Sequence, residues 1–185
     1  MNVEELLRQY RAGERNFTQV DLAQVILKKA NLSQINFSQA ILTEANFTES
    51  DLERAIFCQA NLNLSNFSQA RLAQADFRAA SIKSALLYKA NLGKAQLYKA
   101  NLSQAILKRT FLRQANLEQS VLKTANLEQA NLIDANLRGA DLTGANLQNA
   151  FLQGANLFQA CLDNVDLTQT ILTGATMPDG KVFGN

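Results

Sequence analysis

The residues of this 185-residue chain that could do chemistry are few: two cysteines, Cys58 and Cys161, sixteen carboxylates and no histidine. Without histidine there is no Ser-His-Asp or Cys-His nucleophile, no His-ligated zinc or haem, and no default general base near neutral pH. Two cysteines are too few for an all-cysteine zinc site or a disulfide framework. Neither has a cationic neighbour in sequence, so both read as ordinary thiols. Carboxylate pairs such as Asp51/Glu53 and Glu44/Glu49 would need a cleft to act as acid and base. The glycines are isolated and form no phosphate-binding loop. The residues therefore predict a protein that is not an enzyme, with no catalytic residue, no cofactor and no bound metal.

The elements that position these residues come from a repeat of five. From Phe17 to Leu172 every fifth residue is Leu, Ile or Phe, with no polar interruption, and Met177 holds the next place. Two residues before each of these centres, apart from Arg15 at the start, the chain is usually Ala, as at Ala30, Ala60, Ala90 and Ala155, or is otherwise small or β-branched. Asn or Asp usually precedes the centre directly, and two mostly polar residues follow it. Five matches neither the helical period nor the strand period. It describes a short extended segment with two inward side chains, then a corner. Asn and Asp suit the turn, and Gly139, Gly144, Gly154 and Gly174, each two places after a centre, mark that slot as the corner. One such unit cannot bury its own apolar residues, so the units must wind and stack. Phe17, Phe37, Phe57 and Phe77 recur every twenty residues, as do Phe47 and Phe67, which predicts four units per coil and two Phe columns facing each other in the lumen.

These residues resemble the pentapeptide-repeat family. The motif Ala-(Asp/Asn)-Leu-x-x stands at Ala125-Asn126-Leu127-Glu128-Gln129, Ala135-Asn136-Leu137-Arg138-Gly139 and Ala140-Asp141-Leu142-Thr143-Gly144. The resemblance runs from Arg15 to about Thr176. It implies an all-β fold, a right-handed quadrilateral parallel β-helix with Leu, Phe and Ala inside. Similar proteins are common in cyanobacteria, and Thr176-Met177-Pro178-Asp179-Gly180 looks like their C-terminal tails. The Asn/Asp slot departs at places such as Ile26, Leu86, Phe111 and Cys161, which weakens local turn bonding. Thirty-two centres at four per coil give about eight coils, roughly 38 Å of stacked strands.

The expected organisation is a capping helix in 1–14, the solenoid in 15–176 and a tail in 177–185. Residues 3–12 read as a helix: Asn2 can N-cap with Glu5 as its partner, Val3, Leu6, Leu7 and Tyr10 share one face, and Gly13 can end it. Its apolar face is expected to cover the first coil, and Val182 and Phe183 to fold back over the last. No signal peptide or membrane span is read, and two unpaired thiols fit a reducing compartment, so a cytoplasmic location is expected.

Two surface features remain. Between Arg71 and Lys123 the bases are Arg71, Arg78, Lys83, Lys89, Lys94, Lys99, Lys108, Arg109, Arg113 and Lys123, against two acids, a net charge of +8 in a chain of +2 overall. Mapped onto four walls they form a girdle, denser on two adjacent walls, and not a stripe. It reads as solvated surface rather than as a nucleic-acid site, which would want one focused face. Family members that resemble duplex DNA and protect topoisomerases typically have strongly acidic surfaces, and this chain departs from that pattern. The other feature is apolar residues on outward slots: Phe111, Ile133, Phe151 and Ile171 map to one wall, with a smaller group of Leu86, Tyr88 and Ile106 beside it. They offer a docking or homodimer patch. The expected function is a rigid, non-catalytic surface for an unidentified protein partner, with a regulatory role; topoisomerase or nucleic-acid association is the alternative.

Overall fold

The structure is a computed structural model in which residues 1–184 are described. From Asn16 to Thr176 nearly every residue that precedes a centre forms a parallel bridge with the residue twenty places on, as in Asn16↔Asn36, Asp21↔Ile41, Ile26↔Asn46 and Asn31↔Asp51. These bridges fall into four ladders, named here by their first members Asn16, Asp21, Ile26 and Asn31. Each extended segment contributes a single bridging residue, because corners on both sides leave no room for a longer strand. The chain is thus a β-helix-like solenoid with little conventional strand.

Main-chain bonds run both ways between coils. Leu22 donates its N–H to Ile41 O at 2.9 Å, and Ile41 N–H returns to Val20 O at 2.9 Å. From Leu22 onward each corner closes with a turn bond such as Ala55 N–H to Leu52 O at 3.0 Å. The corner residue is left-handed whatever its type: non-glycine residues from Gln19 to Asn164 have φ between 53° and 61° there. Asn or Asp before the centre holds the turn from the side, as where Asn66 Oδ1 accepts from Ser68 N–H at 2.9 Å. Where Ile26 departs from that pattern, the main-chain bond from Ala30 N–H to Leu27 O at 3.1 Å still closes the turn.

The centres and the Ala slot fill the lumen, and nearly all of both are buried. The two Phe columns meet there as the spacing predicts. Phe57 and Phe77 stack at 4.9 Å, and Phe67 meets Phe77 edge-on at 6.0 Å. Polar residues in the small slot are satisfied in place: Ser50 Oγ donates to Phe47 O at 2.7 Å, and Thr110 Oγ1 to Leu87 O at 2.7 Å.

The N-terminal helix, α1, spans Val3–Arg11, one residue shorter than expected because Ala12 is its C-cap. Asn2 Oδ1 accepts from Glu5 N–H at 2.9 Å, so the N-cap lies where the sequence placed it. Leu6 is buried, Val3, Leu7 and Tyr10 pack against the core, and Tyr10 Oη donates to Ser33 O at 2.9 Å. The far end is less complete. Among the described residues Asp166 makes no bridge, although Ile171 and Thr176 keep theirs, and the centres Leu162 and Leu167 are only half-buried. The tail turns back at Met177–Lys181 and pairs antiparallel, Thr176↔Val182, while Val182 and Phe183 keep large exposed surfaces.

Candidate docking face

The solenoid places residues twenty apart on the same outward column. The Asn31 ladder carries Phe111↔Asn131↔Phe151↔Ile171 in consecutive rungs. Phe111 is 53% exposed, Phe151 37% and Ile171 40%. Ile133, expected with them, is half-buried, its N–H held by Asn131 Oδ1 at 3.1 Å. Leu86 and Ile106 are adjacent rungs of the Ile26 ladder and both are exposed, while Tyr88 beside them is half-buried. Ile26, Ile41 and Leu64 are exposed too, on separate rungs and columns. Sequence spacing could have shown this, since each sits on an outward slot.

The basic residues divide into two sets. Arg71 pairs with Glu53 at 2.6 Å and Asp51 at 3.5 Å, Arg78 with Asp76 at 2.7 Å, Lys108 with Glu128 at 2.8 Å, Arg113 with Asp134 at 3.6 Å and Lys123 with Asp141 at 3.1 Å. The hydrogen bond and charge of Glu53, with the charge of Asp51, raise the Arg71 pKa above its ordinary value. The remaining five, Lys83, Lys89, Lys94, Lys99 and Arg109, make no ion pair among the described residues. The carboxylate pairs singled out above are held by cations or amides: Asp51 and Glu53 by Arg71, Glu49 by Lys28 and Lys29, and Glu44 by Gln24.

Lys89 and Arg109 are successive members of the corner column between the Ile26 and Asn31 ladders, and a groove there is lined by both, by Phe111 and by Phe151. A second depression continues from it past Phe111 to Gly93. Arg109 Nε donates to Gln129 Oε1 at 2.6 Å, a neutral partner that leaves its charge in place. Tyr88 stands between the two cations, with Lys89 Nζ 5.2 Å from its ring centre. Partial burial would raise the Tyr88 phenol, but the hydrogen bonds and charges of Lys89 and Arg109 outweigh it and hold the pKa below the usual tyrosine value. Mapping the sequence onto the coil puts Lys89 and Arg109 on one wall, but the groove they share with Phe111 and Phe151 was not read from it.

Cys58 and Cys161 are both free and half-buried. Among the described residues, no group of three or more His, Cys, Asp and Glu side chains is placed to hold a metal ion. Among the same residues no helix is long and apolar enough to cross a membrane.

Comparison with known proteins accords with the coil geometry. The Pentapeptide repeats family matches residues 95–132, 120–157 and 152–179, and the Pentapeptide repeat region family matches residues 30–99. No curated protein matches the chain. Among solved structures, the chain is similar to HetL, a pentapeptide repeat protein involved in heterocyst differentiation regulation from the cyanobacterium Nostoc sp. strain PCC 7120. The identity is 30% over 98% of this chain and 99% of that one, with a TM-score of 0.38. It is also similar to trypsin-treated QnrB1, a plasmid-mediated fluoroquinolone resistance protein, at 19% identity over 90% of this chain and 84% of that one, with a TM-score of 0.56. A pentapeptide repeat protein from the Arabidopsis thaliana thylakoid lumen matches at 25% identity over 63% of this chain and 79% of that one, with a TM-score of 0.27. The family matches cover well over half of the chain, which therefore belongs to the pentapeptide-repeat family.

Proposed function

We propose that this protein is a non-catalytic, rigid docking surface for a protein partner, regulatory in role, acting in the cytoplasm. The fold this reading uses is a right-handed quadrilateral β-helix of about eight coils, organised as the cap, solenoid and tail described above. The observation that carries it is the ladder Phe111↔Asn131↔Phe151↔Ile171, three exposed apolar side chains in four successive rungs. Main-chain bonds on both sides fix their positions, so binding costs little ordering. Ile133 borders the same face. The cytoplasmic part rests on the two free thiols.

A photo-crosslinking side chain at position 131, expressed in the native host, tests the reading. A specific product is expected, lost when Phe111→Ser and Phe151→Ser are combined, with an unchanged thermal midpoint. An unchanged crosslinking pattern overturns it. A product of twice the chain mass from purified protein identifies the partner as a second copy. Topoisomerase or nucleic-acid association predicts inhibition in a DNA-gyrase supercoiling assay and salt-sensitive duplex binding. The basic girdle does not favour it, since half of its charges are neutralised and the rest are spread over four columns.

A further inference from the structure

Two of the five cations without an ion pair lie at the docking face. Lys89 and Arg109 line the groove that Phe111 and Phe151 border, and its other lining side chains are amides and Thr110, with no carboxylate. The groove is thus apolar along one side and positive at one end.

We infer that it receives an extended acidic segment of a protein partner, which inserts one apolar side chain between Phe111 and Phe151 and sets carboxylates against Lys89 and Arg109. The inference rests on the docking reading and supplies the partner's chemistry. Its geometry follows from the coil. Rungs lie about 4.8 Å apart, so Phe111 and Phe151, two rungs apart, stand roughly 10 Å from one another. A side chain seated over Asn131 then lies about 5 Å from each, a distance at which aromatic and apolar groups pack. Arg109 lies one rung before that seat and Lys89 two rungs before it. At about 3.3 Å per residue, an extended peptide brings its second and third neighbours to those rungs. Exposed cations with no carboxylate in reach add affinity and on-rate for an anionic segment.

A single-stranded nucleic acid would also stack on rings beside cations, but it needs a basic groove that tracks its backbone over several nucleotides. Here the corner column beyond Arg109 continues as Gln129 and Asn149, with no further base. The adjoining depression adds Arg71 and Arg113, but both are paired with carboxylates, so the free charge lining the groove stays at one end, which fits a short acidic cluster.

Fluorescence anisotropy with a panel of labelled octapeptides tests this. Each carries one phenylalanine or leucine and a pair of glutamates, two and three residues before or after it. Binding is expected for one register, weakened by added salt and about ten-fold by glutamate-to-glutamine replacement in the peptide. Arg109→Glu and Phe111→Ser should each cost about ten-fold, in proteins with unchanged thermal midpoints. Lys99→Glu, on another column, should leave binding as it is. Indifference to the glutamates, an equal loss with Lys99→Glu, or a single-stranded oligonucleotide that displaces the peptide would overturn the inference. Failure of every peptide while crosslinking at position 131 still depends on Phe111 and Phe151 overturns the acidic chemistry alone. Failure of both overturns the docking face as well.

Discussion

Phe47 and Phe67 lie face to face in the lumen, with ring centres 4.9 Å apart and planes inclined by 6°. The opposite column interlocks with them: Phe57 meets Phe47 at 6.0 Å and Phe67 at 5.8 Å, both edge-on. Phe57 touches four rings in all, Phe37 and Phe77 being the others. Removing it should open a cavity whose other walls are main chain fixed by the ladders. Phe57→Ala is expected to cost about 3–5 kcal/mol, and Phe57→Leu clearly less, about 1–2 kcal/mol, because Leu fills most centres elsewhere. Urea melts of the three proteins measure this. Equal costs for Leu and Ala would show that ring contacts, not volume, hold this end of the lumen.

Helix α1 gives a second expectation. Leu6 is fully buried and Tyr10 is tied to Ser33 of the first coil. Deleting residues 1–12 should expose the first lumen layer around Phe17 and Leu22, lowering the thermal midpoint or causing aggregation. Leu6→Asp should move the midpoint the same way by placing a charge in that layer. A monodisperse deletion product with an unchanged midpoint would show that the first coil needs no cover.

Much of this fold is legible in the sequence because one period serves every level. The five-residue step gives the inward slots, the Phe spacing gives the coil, and four glycines mark a corner that mostly carries Gln, Lys and Arg. What was not legible depends on neighbours one coil away or on the end of the stack. Asp166 has the right residues around it, yet makes no bridge back to Asn146, although Ile171 and Thr176 at the same end keep theirs. The basic girdle reads as ten similar charges, but rotamers spanning eighteen to twenty-one residues pair several and leave Lys89 and Arg109 open. The candidate site follows the same division: outward Phe111 and Phe151 were visible from spacing, while the burial of Ile133 and the lack of an ion pair at Lys89 and Arg109 were not.

The left-handed corner predicts an order among glycine substitutions. Gly139 has φ +63°, and an added Cβ would meet Gln119 Cγ at an ordinary 3.6 Å. Gly154 has φ +66°, but there the Cβ would lie 2.7 Å from Asp134 Oδ1. Gly139→Ala should cost about 1 kcal/mol, the price of the left-handed backbone for an L-residue. Gly154→Ala should cost more, because Asp134 must also move and its 3.6 Å pair with Arg113 is disturbed. Chemical denaturation of both variants checks the order, and a smaller loss for Gly154→Ala would contradict it.

Acid should destabilise the solenoid partly through Asp141. Burial would raise its pKa, but hydrogen bonds from Thr143 and the hydrogen bond and charge of Lys123 outweigh that and lower it. Thr143 donates its N–H at 3.1 Å and its hydroxyl at 2.6 Å, and Lys123 Nζ lies 3.1 Å away. A carboxylate with a depressed folded-state pKa contributes stability above its unfolded pKa, near ~3.9, and loses it as pH falls through the lower folded value. Asp141→Asn keeps an acceptor for the Thr143 N–H, the role Asn131 plays for Ile133, and removes only the charge. At neutral pH the variant should be less stable than the parent by about 0.5 kcal/mol, the scale of a largely solvated ion pair. The gap should close as the pH falls below the unfolded value of ~3.9. Thermal melts of both proteins across that range read the difference directly, and a gap that stays constant with pH would show that Asp141 acts through its turn bonds alone.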